Sequence, residues 1–283
     1  MLDSVRARKR WCSRLADLTE GRRLIATLAH EFPMNALDRV AGLLTTAGSN
    51  RRLPPTDLFN EGWMLRLILD WCESHPTALP NFTFLPGATW YSEALLPSRF
   101  LGRGAKREGF THADGVIGHF RFRPNGRGDI ELEPSARQLS VIEAKMGSPL
   151  SPGTSHAPTY NQAARNLACI AHMVSTHGAG LTKAEFTVVA PRQRIEDGVF
   201  SSYLMPERLL AVVRERCSGF DEDSIRWHDS HFVPFLSSCA VREVSWEDTL
   251  DGIAAIDGHA AKEFRDFYAL CLRYNPMQRR RAP

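Results

Sequence analysis

The spacing of apolar positions along the chain predicts alternating helices and extended segments. Leu65, Ile68, Leu69 and Cys72 recur at helical intervals, which is typical of a helix with one buried face. Short apolar runs bounded by proline or glycine are typical of strands. The predicted order is a helix at 56–74, extended stretches at 82–95, 113–123 and 139–145, a helix at 159–175 and a strand at 185–190. This order predicts an α/β fold.

The segments on either side of this region are predicted to be mostly helical. Residues 3–47 are expected to form two or more helices broken near Pro33, and a glycine- and proline-containing linker at 48–55 follows. Thr56 or Asp57 is expected to cap the next helix. The C-terminal part is predicted to hold a helix at 206–217, an extended piece at 241–245 and helices over 246–274. We therefore divide the chain into an N-terminal helical extension at 1–50, a core at 56–191 and a mostly helical C-terminal extension at 192–283.

The composition is that of a globular protein. Of the 283 residues, 43% are hydrophobic and 24% are charged, which is enough apolar material for a core. The sequence contains no run of roughly 18 to 20 apolar residues that could span a membrane. Residues 1–14 are polar and basic, without the apolar region of a secretory signal. We therefore expect a cytoplasmic protein.

Motif content excludes several classes of protein. The six cysteines are far apart in the sequence, so the chain has no C-x-x-C redox motif and no zinc knuckle. The nucleotide-binding G-x-x-x-x-G-K-[ST] and G-x-G-x-x-G motifs are absent, as is the G-x-S-x-G motif of the α/β-hydrolases. The chain therefore carries no motor of its own. Its net charge of +3 is too small to indicate nucleic-acid binding by itself.

A carboxylate and an ammonium lie two residues apart on a predicted strand. Side chains two apart share one face of a strand, so Glu143 and Lys145 point the same way and Ala144 points to the other face. Lys145 is the only one of the five lysines with an acidic residue two positions before it. Burying either charge alone would be costly, so we interpret the pair as a site in which the two groups act together.

The preceding predicted strand places an aspartate where it can join this pair. Asp114 lies beside Val116 and Ile117, although aspartate is depleted in strands. Antiparallel pairing of the two strands would bring Asp114 against Glu143. Two adjacent carboxylates repel each other unless they share a proton or a metal, and carboxylate oxygens favour Mg²⁺ or Mn²⁺.

At this point the chain resembles the PD-(D/E)XK nuclease superfamily, through Asp114, Glu143-Ala144-Lys145 and the surrounding element order. The resemblance covers roughly residues 56–191. The family's proline before the aspartate is replaced by Ala113. The resemblance implies a restriction-endonuclease-like core of helix, three strands, helix and strand, with a mixed central sheet and flanking helices. It also implies that Asp114, Glu143 and the Ala144 carbonyl hold one or two metal ions.

Further positions fit what the resemblance implies. The family often has a metal-site glutamate on its first core helix, where this chain has Glu61; Glu93 on the following strand is an alternative. Some branches have a glutamine on the helix after the E-x-K strand, which corresponds to Gln162. Three further residues are candidate nucleic-acid contacts: Arg165 on the same helix, His112 near Asp114, and Ser148 in the loop after the strand.

The activity that the resemblance implies is metal-dependent hydrolysis of phosphodiester bonds. The metal would lower the pKa of a bound water, Lys145 would orient that water, and Gln162 would position the substrate or Lys145. We expect a DNA endonuclease in defence, restriction or repair, although the residues do not separate DNA from RNA. A catalytically silent nucleic-acid-binding or assembly subunit is the alternative. Such an activity is compatible with a homodimer or with a separate motor subunit as partner.

Overall fold

The computed structural model describes residues 36–47, 53–101, 108–124, 126–154, 157–177 and 180–276. The chain divides into two compact units, Met1–Leu58 and Phe59–Pro283. Within the first unit, the described part contains helix α1 (Ala36–Leu44) and a 3₁₀ turn (Pro55–Asp57). The predicted helices at 3–35 and the linker at 48–52 lie outside the described residues, and the three-part domain division stays a prediction.

The second unit alternates helices and strands. Its strands are β1 (Thr89–Leu96), β2 (Thr111–Gly118), β3 (Phe120–Phe122), β4 (Ile130–Leu132), β5 (Gln138–Ala144), β6 (Lys183–Ala190) and β7 (Ala240–Ser245). Its helices are α2 (Glu61–Ser74), α3 (Gln162–His177), α4 (Arg192–Glu196), α5 (Ser201–Leu204), α6 (Pro206–Ser218), α7 (Glu222–Trp227), α8 (Val233–Ser238), α9 (Trp246–Ala254) and α10 (Gly258–Tyr274). A 3₁₀ turn (Pro80–Phe82) and a π-helical turn (His228–Phe232) complete it.

Five of the strands form one mixed sheet in the order β1-β2-β5-β6-β7. The β1–β2 and β2–β5 pairs are antiparallel, whereas β5–β6 and β6–β7 are parallel. β3 and β4 form a separate two-stranded sheet. The fold is therefore α/β with a mixed central sheet and flanking helices, as the sequence predicts. β5 lies at the centre of the sheet.

Helices cover both faces of β5, and this burial explains its apolar sequence. All seven residues of β5 are buried, as expected for a strand covered on both faces. α2 packs on one face through Leu65, Ile68 and Leu69, each of which is fully buried. Burying each of these side chains contributes about 1.5 to 3 kcal/mol. α3 covers the other face with Leu167 and its neighbours.

The first core helix begins later than its apolar spacing predicts, at Glu61 rather than near Thr56. Pro55 starts a 3₁₀ turn, and Asn60 caps the helix by accepting a hydrogen bond of 3.0 Å from the Trp63 backbone N–H. The prediction that Thr56 or Asp57 caps this helix was therefore wrong. A helix begins where a side chain accepts a hydrogen bond from one of the first backbone N–H groups of the helix. Asn60 provides this acceptor.

Two predicted extended stretches are shorter than the apolar pattern suggests. The stretch at 82–95 becomes strand only from Thr89, because the chain turns at Gly87, which has a φ of 84°. The stretch at 113–123 divides at His119, whose backbone N–H donates to the Gln138 carbonyl. Beyond this residue the chain leaves the central sheet and pairs with β4 instead.

The C-terminal region contributes a strand to the central sheet. β7 runs parallel to β6, with Glu185 opposite Ala240 and Ala190 opposite Ser245. The predicted extended piece at 241–245 is thus the edge strand of the sheet that contains β5. Within the described part of the chain, none of the helices is both long enough and apolar enough to cross a bilayer.

The close approach of β2 and β5 depends on a glycine. A Cβ added at Gly118 would lie 2.4 Å from the Gln138 carbonyl oxygen. We expect Gly118→Ala to lower the free energy of unfolding by about 1 to 3 kcal/mol, because neither backbone can move without disturbing the pairing. Urea denaturation followed by tryptophan fluorescence measures this change.

Gly180→Ala is the matched control. A Cβ at Gly180 meets no atom of the described residues within 4 Å. The free energy of unfolding of Gly180→Ala should therefore stay within about 0.5 kcal/mol of the wild-type value. A Gly118→Ala protein as stable as this control would show that the two strands do not pair in the register described.

Candidate active site at the end of strand β5

The Glu143 carboxylate lies fully buried at the end of β5 against the Lys145 ammonium group. Glu143 is 0% exposed and Lys145 is 8% exposed. Lys145 Nζ donates a hydrogen bond to Glu143 Oε1, as the shared strand face predicts. Beyond the strand, the Lys145 backbone is held on both sides: its N–H donates to the Val189 carbonyl, and its carbonyl accepts from the Trp246 indole at 2.9 Å.

Helix α3 supplies two amide donors to the same carboxylate. Gln162 Nε2 donates to Glu143 Oε1 at 2.5 Å, and Asn166 Nδ2 donates to Glu143 Oε2 at 3.3 Å. The two residues are four positions apart and therefore face the same side of the helix. Gln162 is itself held, because its Oε1 accepts from the Ser151 backbone N–H at 3.1 Å. Both oxygens of Glu143 thus have donors that the fold holds in place.

Asp114 lies where the ladder between β2 and β5 ends. The paired residues run from Gly118 opposite Leu139 to Gly115 opposite Ile142. Extending this register by one residue sets Asp114 opposite Glu143, as antiparallel pairing predicts. Asp114 Oδ2 accepts a hydrogen bond of 2.8 Å from the Ala144 backbone N–H. The Asp114 carboxylate therefore replaces a backbone carbonyl of β2 as the hydrogen-bond acceptor for the Ala144 N–H.

Burial and the neighbouring carboxylate dominate the electrostatics of this cluster. Burial, followed by the negative charge of Asp114, raises the pKa of Glu143 to about 8, although Lys145 opposes the change. Burial lowers the pKa of Lys145, but the charges of Glu143 and Asp114 outweigh it, so the net pKa of Lys145 is raised. Lys145 therefore remains protonated at neutral pH, and Glu143 readily takes up a proton or a cation.

Glu93 lies opposite Asp114 on the other side of β2, in a strained backbone conformation. Among the non-glycine residues that the structure describes, Glu93 is the one with a positive φ, 55°. The β1–β2 pairing is interrupted at this residue, between Ser92 and Ala94. Burial and the charge of Asp114 raise the pKa of Glu93. Its carboxylate forms an ion pair of 3.3 Å with Arg66. Such strain persists where the surrounding structure holds the residue in place.

Glu61 is the first residue of α2 and is half-buried. Its negative charge contributes to raising the pKa of both Lys145 and Glu93, which places it near the cluster. Of the two alternatives for a further carboxylate, Glu61 therefore lies near Lys145, and Glu93 lies near Asp114. The contacts of the described residues do not join either one directly to Glu143.

The other predicted residues are His112, Arg165, Ser148 and the Ala144 carbonyl. His112 is exposed on the same face of β2 as Asp114, and its charge lowers the pKa of Glu93. Arg165 is half-buried on α3, where its charge acts on Tyr160 and Cys169. Ser148 is half-buried in the loop after β5, and Ala144 is fully buried. Their roles as substrate contacts or, for the Ala144 carbonyl, as a metal ligand stay predictions.

Sequence reasoning missed three residues that hold the cluster. Asn166 is 0% exposed and shares a helix face with Gln162, so its position four residues after Gln162 was a usable signal. Arg66 pairs with Glu93 across 27 residues of sequence, and Trp246 reaches Lys145 across 101. No local pattern links residues so far apart, because only the fold brings them together.

The donor set at this site suits a hard cation. Among the described residues, no group of three or more His, Cys, Asp or Glu side chains is arranged to hold a metal ion. Asp114 and Glu143 form a smaller set of carboxylate oxygens, the ligands that Mg²⁺ and Mn²⁺ favour. Burial and then the Asp114 charge raise the pKa of Glu143, and a cation near both carboxylates would relieve their mutual repulsion. The residues therefore fit such an ion.

Comparison of the chain with family models, curated proteins and solved structures found no match. The class of protein therefore rests on the residues and geometry described above.

The Asn166–Glu143 contact predicts a pH-dependent loss of stability on substitution. Asn166→Asp places a second buried carboxylate against Glu143, so both folded-state pKa values rise above their unfolded values. The free energy of unfolding of this variant is then highest at low pH and falls as the pH rises through these pKa values. We expect a loss of about 1 to 3 kcal/mol at pH 8.5 relative to pH 5.5, measured by urea denaturation.

Asn161→Asp, at the residue that precedes the same helix, is the control. Asn161 is also buried, and its Oδ1 accepts from the Ala164 backbone N–H at 3.0 Å. A carboxylate at this helix start keeps that acceptor and interacts favourably with the helix dipole, so its effect should grow less with pH than that of Asn166→Asp. Equal pH profiles for the two variants would contradict the Asn166–Glu143 contact.

Proposed function

We propose that this protein is a metal-dependent DNA endonuclease of the PD-(D/E)XK type. The observation that supports the proposal most is the buried Glu143 carboxylate, held by Lys145 and the α3 amides directly opposite Asp114. Two carboxylates and a lysine at the end of adjacent strands are the groups that this chemistry requires. An α/β fold with a mixed central sheet is compatible with the proposal.

Each residue of the cluster takes a separate part in the proposed reaction. Asp114 and Glu143 would hold Mg²⁺ or Mn²⁺, together with the Ala144 carbonyl, and Glu61 would assist them. When bound, the metal supplies Lewis-acid activation of water and of the scissile phosphate. Gln162 keeps the Glu143 carboxylate in one orientation through the bond of 2.5 Å.

Lys145 supplies positive charge at the point where the phosphate gains negative charge. Its raised pKa keeps the ammonium group protonated. It can therefore orient the attacking water and stabilise the transition state. The water oxygen forms one bond to phosphorus, one P–O ester bond breaks, and the leaving oxygen takes up a proton. The net reaction is hydrolysis of one phosphodiester bond.

Two alternatives remain outcomes of the tests below. A catalytically silent nucleic-acid-binding or assembly subunit would keep the cluster for stability and would not cut. An RNase would use the same groups, because the chemistry acts on the phosphate and not on the sugar. A homodimer or a separate motor subunit belongs to the same proposal, as does a role in DNA defence, restriction or repair.

The raised pKa of Glu143 predicts how metal affinity depends on pH. A carboxylate must lose its proton to bind a metal, so Mg²⁺ or Mn²⁺ binding should weaken up to about tenfold for each pH unit below about 8. Above this pH the affinity should level off. Titration calorimetry between pH 6 and 9 measures the trend, and two buffers of different ionisation enthalpy reveal the released proton.

Glu143→Gln is the companion variant for this measurement, because it keeps the shape and removes the charge. Its metal binding should be lost at every pH. Retained binding in this variant, or an affinity independent of pH in the wild type, would contradict the role of Glu143 as a ligand.

Cleavage of supercoiled plasmid tests the activity itself. Wild type is incubated with Mg²⁺, Mn²⁺ or EDTA, beside Lys145→Ala and Glu143→Ala. We expect nicking or linearisation only with metal, and a loss of at least about a hundredfold in each variant. Lys262→Ala is the matched control, because Lys262 is 77% exposed and pairs with Asp266 on α10.

The outcomes separate the candidate functions. Equal cutting by wild type and Lys145→Ala would exclude this site as the catalytic centre. Cutting of a single-stranded RNA but not of plasmid would favour the RNase. Binding of DNA without metal binding or cutting would favour the silent subunit.

A further inference from the structure

A cavity opens beside the candidate active site. It has a volume of about 510 Å³, within the range of sites that bind small organic molecules. Its wall is built from the segment before β2, from β1 and β2, and from the turn before β4. The lining residues are Leu95, Gly109, Phe110, His112, Gly126, Arg127 and Asp129.

The cavity is attached to the strand that carries Asp114. His112 precedes Asp114 by two residues on the same face of β2, a spacing of about 7 Å. His112 pairs with Leu95 of β1, and the Leu95 backbone N–H donates to the Gly128 carbonyl at 3.0 Å. The turn that carries Arg127 and Asp129 is therefore hydrogen-bonded to β1 opposite His112, two residues from Asp114.

Three kinds of side chain meet in this cavity. Phe110 is half-buried and offers an aromatic ring. Arg127 is exposed, and its guanidinium is suited to phosphate. Asp129 is half-buried, and its Oδ1 accepts from the Arg127 backbone N–H at 3.2 Å. A second oxygen of that carboxylate can accept further hydrogen bonds.

We infer that this cavity binds one unpaired nucleotide of the substrate strand, next to the scissile phosphate. The inference rests on the proposed function. The base stacks on Phe110, because every base has a face that an aromatic ring can contact. Arg127 and His112 contact the neighbouring phosphate. The cavity thus makes a single-stranded or flipped-out nucleotide part of the substrate.

The cavity also discriminates between bases. Asp129 accepts hydrogen bonds and, when ionised, donates none. It favours bases that carry an exocyclic amino group, such as cytosine, over thymine, whose single ring N3–H lies between two carbonyl oxygens that repel a carboxylate. The inferred ligand is therefore a nucleotide with an amino-bearing base.

The test is binding of labelled oligonucleotides to the full-length protein by fluorescence anisotropy in EDTA, so that cleavage plays no part. The probes are a short single strand and a blunt duplex. We expect Phe110→Ala to weaken single-strand binding by about tenfold or more and to leave duplex binding within about twofold. Phe110→Trp should restore single-strand binding.

A filling substitution tests the cavity without removing a contact. Gly109 lines the cavity and a Cβ there meets no atom of the described residues within 4 Å, so Gly109→Leu adds bulk at the cavity wall without a clash. It should weaken single-strand binding as Phe110→Ala does. Gly180→Leu is the matched control, because Gly180 is equally open and precedes β6 at the opposite end of the sheet from the site.

Base preference gives an independent readout. Wild type should bind oligo-dC several-fold more tightly than oligo-dT, and Asp129→Asn, whose amide donates as well as accepts, should reduce this preference. Equal affinities for the two oligonucleotides in wild type would overturn the assignment of Asp129.

The combined outcomes distinguish this inference from the proposed function. Unchanged single-strand binding in Phe110→Ala and Gly109→Leu, or equal losses on single strand and duplex, overturns the nucleotide cavity even if plasmid is cut. Single-strand binding that depends on Phe110, without metal-dependent cleavage, overturns the endonuclease and leaves the nucleotide cavity standing.

Discussion

The site depends on keeping one carboxylate, Glu143, out of water. A carboxylate that loses its hydration must find donors inside the protein or take up a proton. Lys145 on the same strand and two amides on α3 meet this requirement. Each donor is then fixed by a further contact, such as the bond from the Ser151 N–H to Gln162. Satisfying one buried charge therefore fixes β5, α3 and the loop between them relative to each other.

The cluster forms where the regular sheet ends. Asp114 replaces a backbone partner at the end of the β2–β5 ladder, and Glu93 interrupts the β1–β2 ladder opposite it with a positive φ. A continuous ladder would leave both carboxylates as ordinary strand side chains. The interruptions leave Asp114 beside Glu143 and Lys145, with Glu93 on the other side of Asp114. Burial, followed by the negative charge of Asp114, raises the pKa values of Glu93 and Glu143, which makes the site receptive to a cation.

The C-terminal region takes part in the site through the sheet and not only as a covering layer. β7 extends the sheet beside β6, and Trp246, the first residue of α9, is fully buried and holds the Lys145 carbonyl. β7 and Trp246 therefore position the Lys145 backbone at the end of β5, although the C-terminal region carries none of the predicted catalytic groups. The proposed nuclease thus needs this region for the geometry of its centre.

The amino-acid sequence by itself determined the local elements and the pairing of Glu143 with Lys145, because both follow from short-range periodicity. It also placed Asp114 opposite Glu143, since an antiparallel neighbour was the simplest arrangement of two successive strands. Helix starts and strand ends were less predictable, as the Asn60 cap and the turn at Gly87 show. Only the tertiary structure decided that Arg66 and Trp246 support the site. Burial and contacts between residues distant in sequence arise when the chain folds, and no local pattern encodes them.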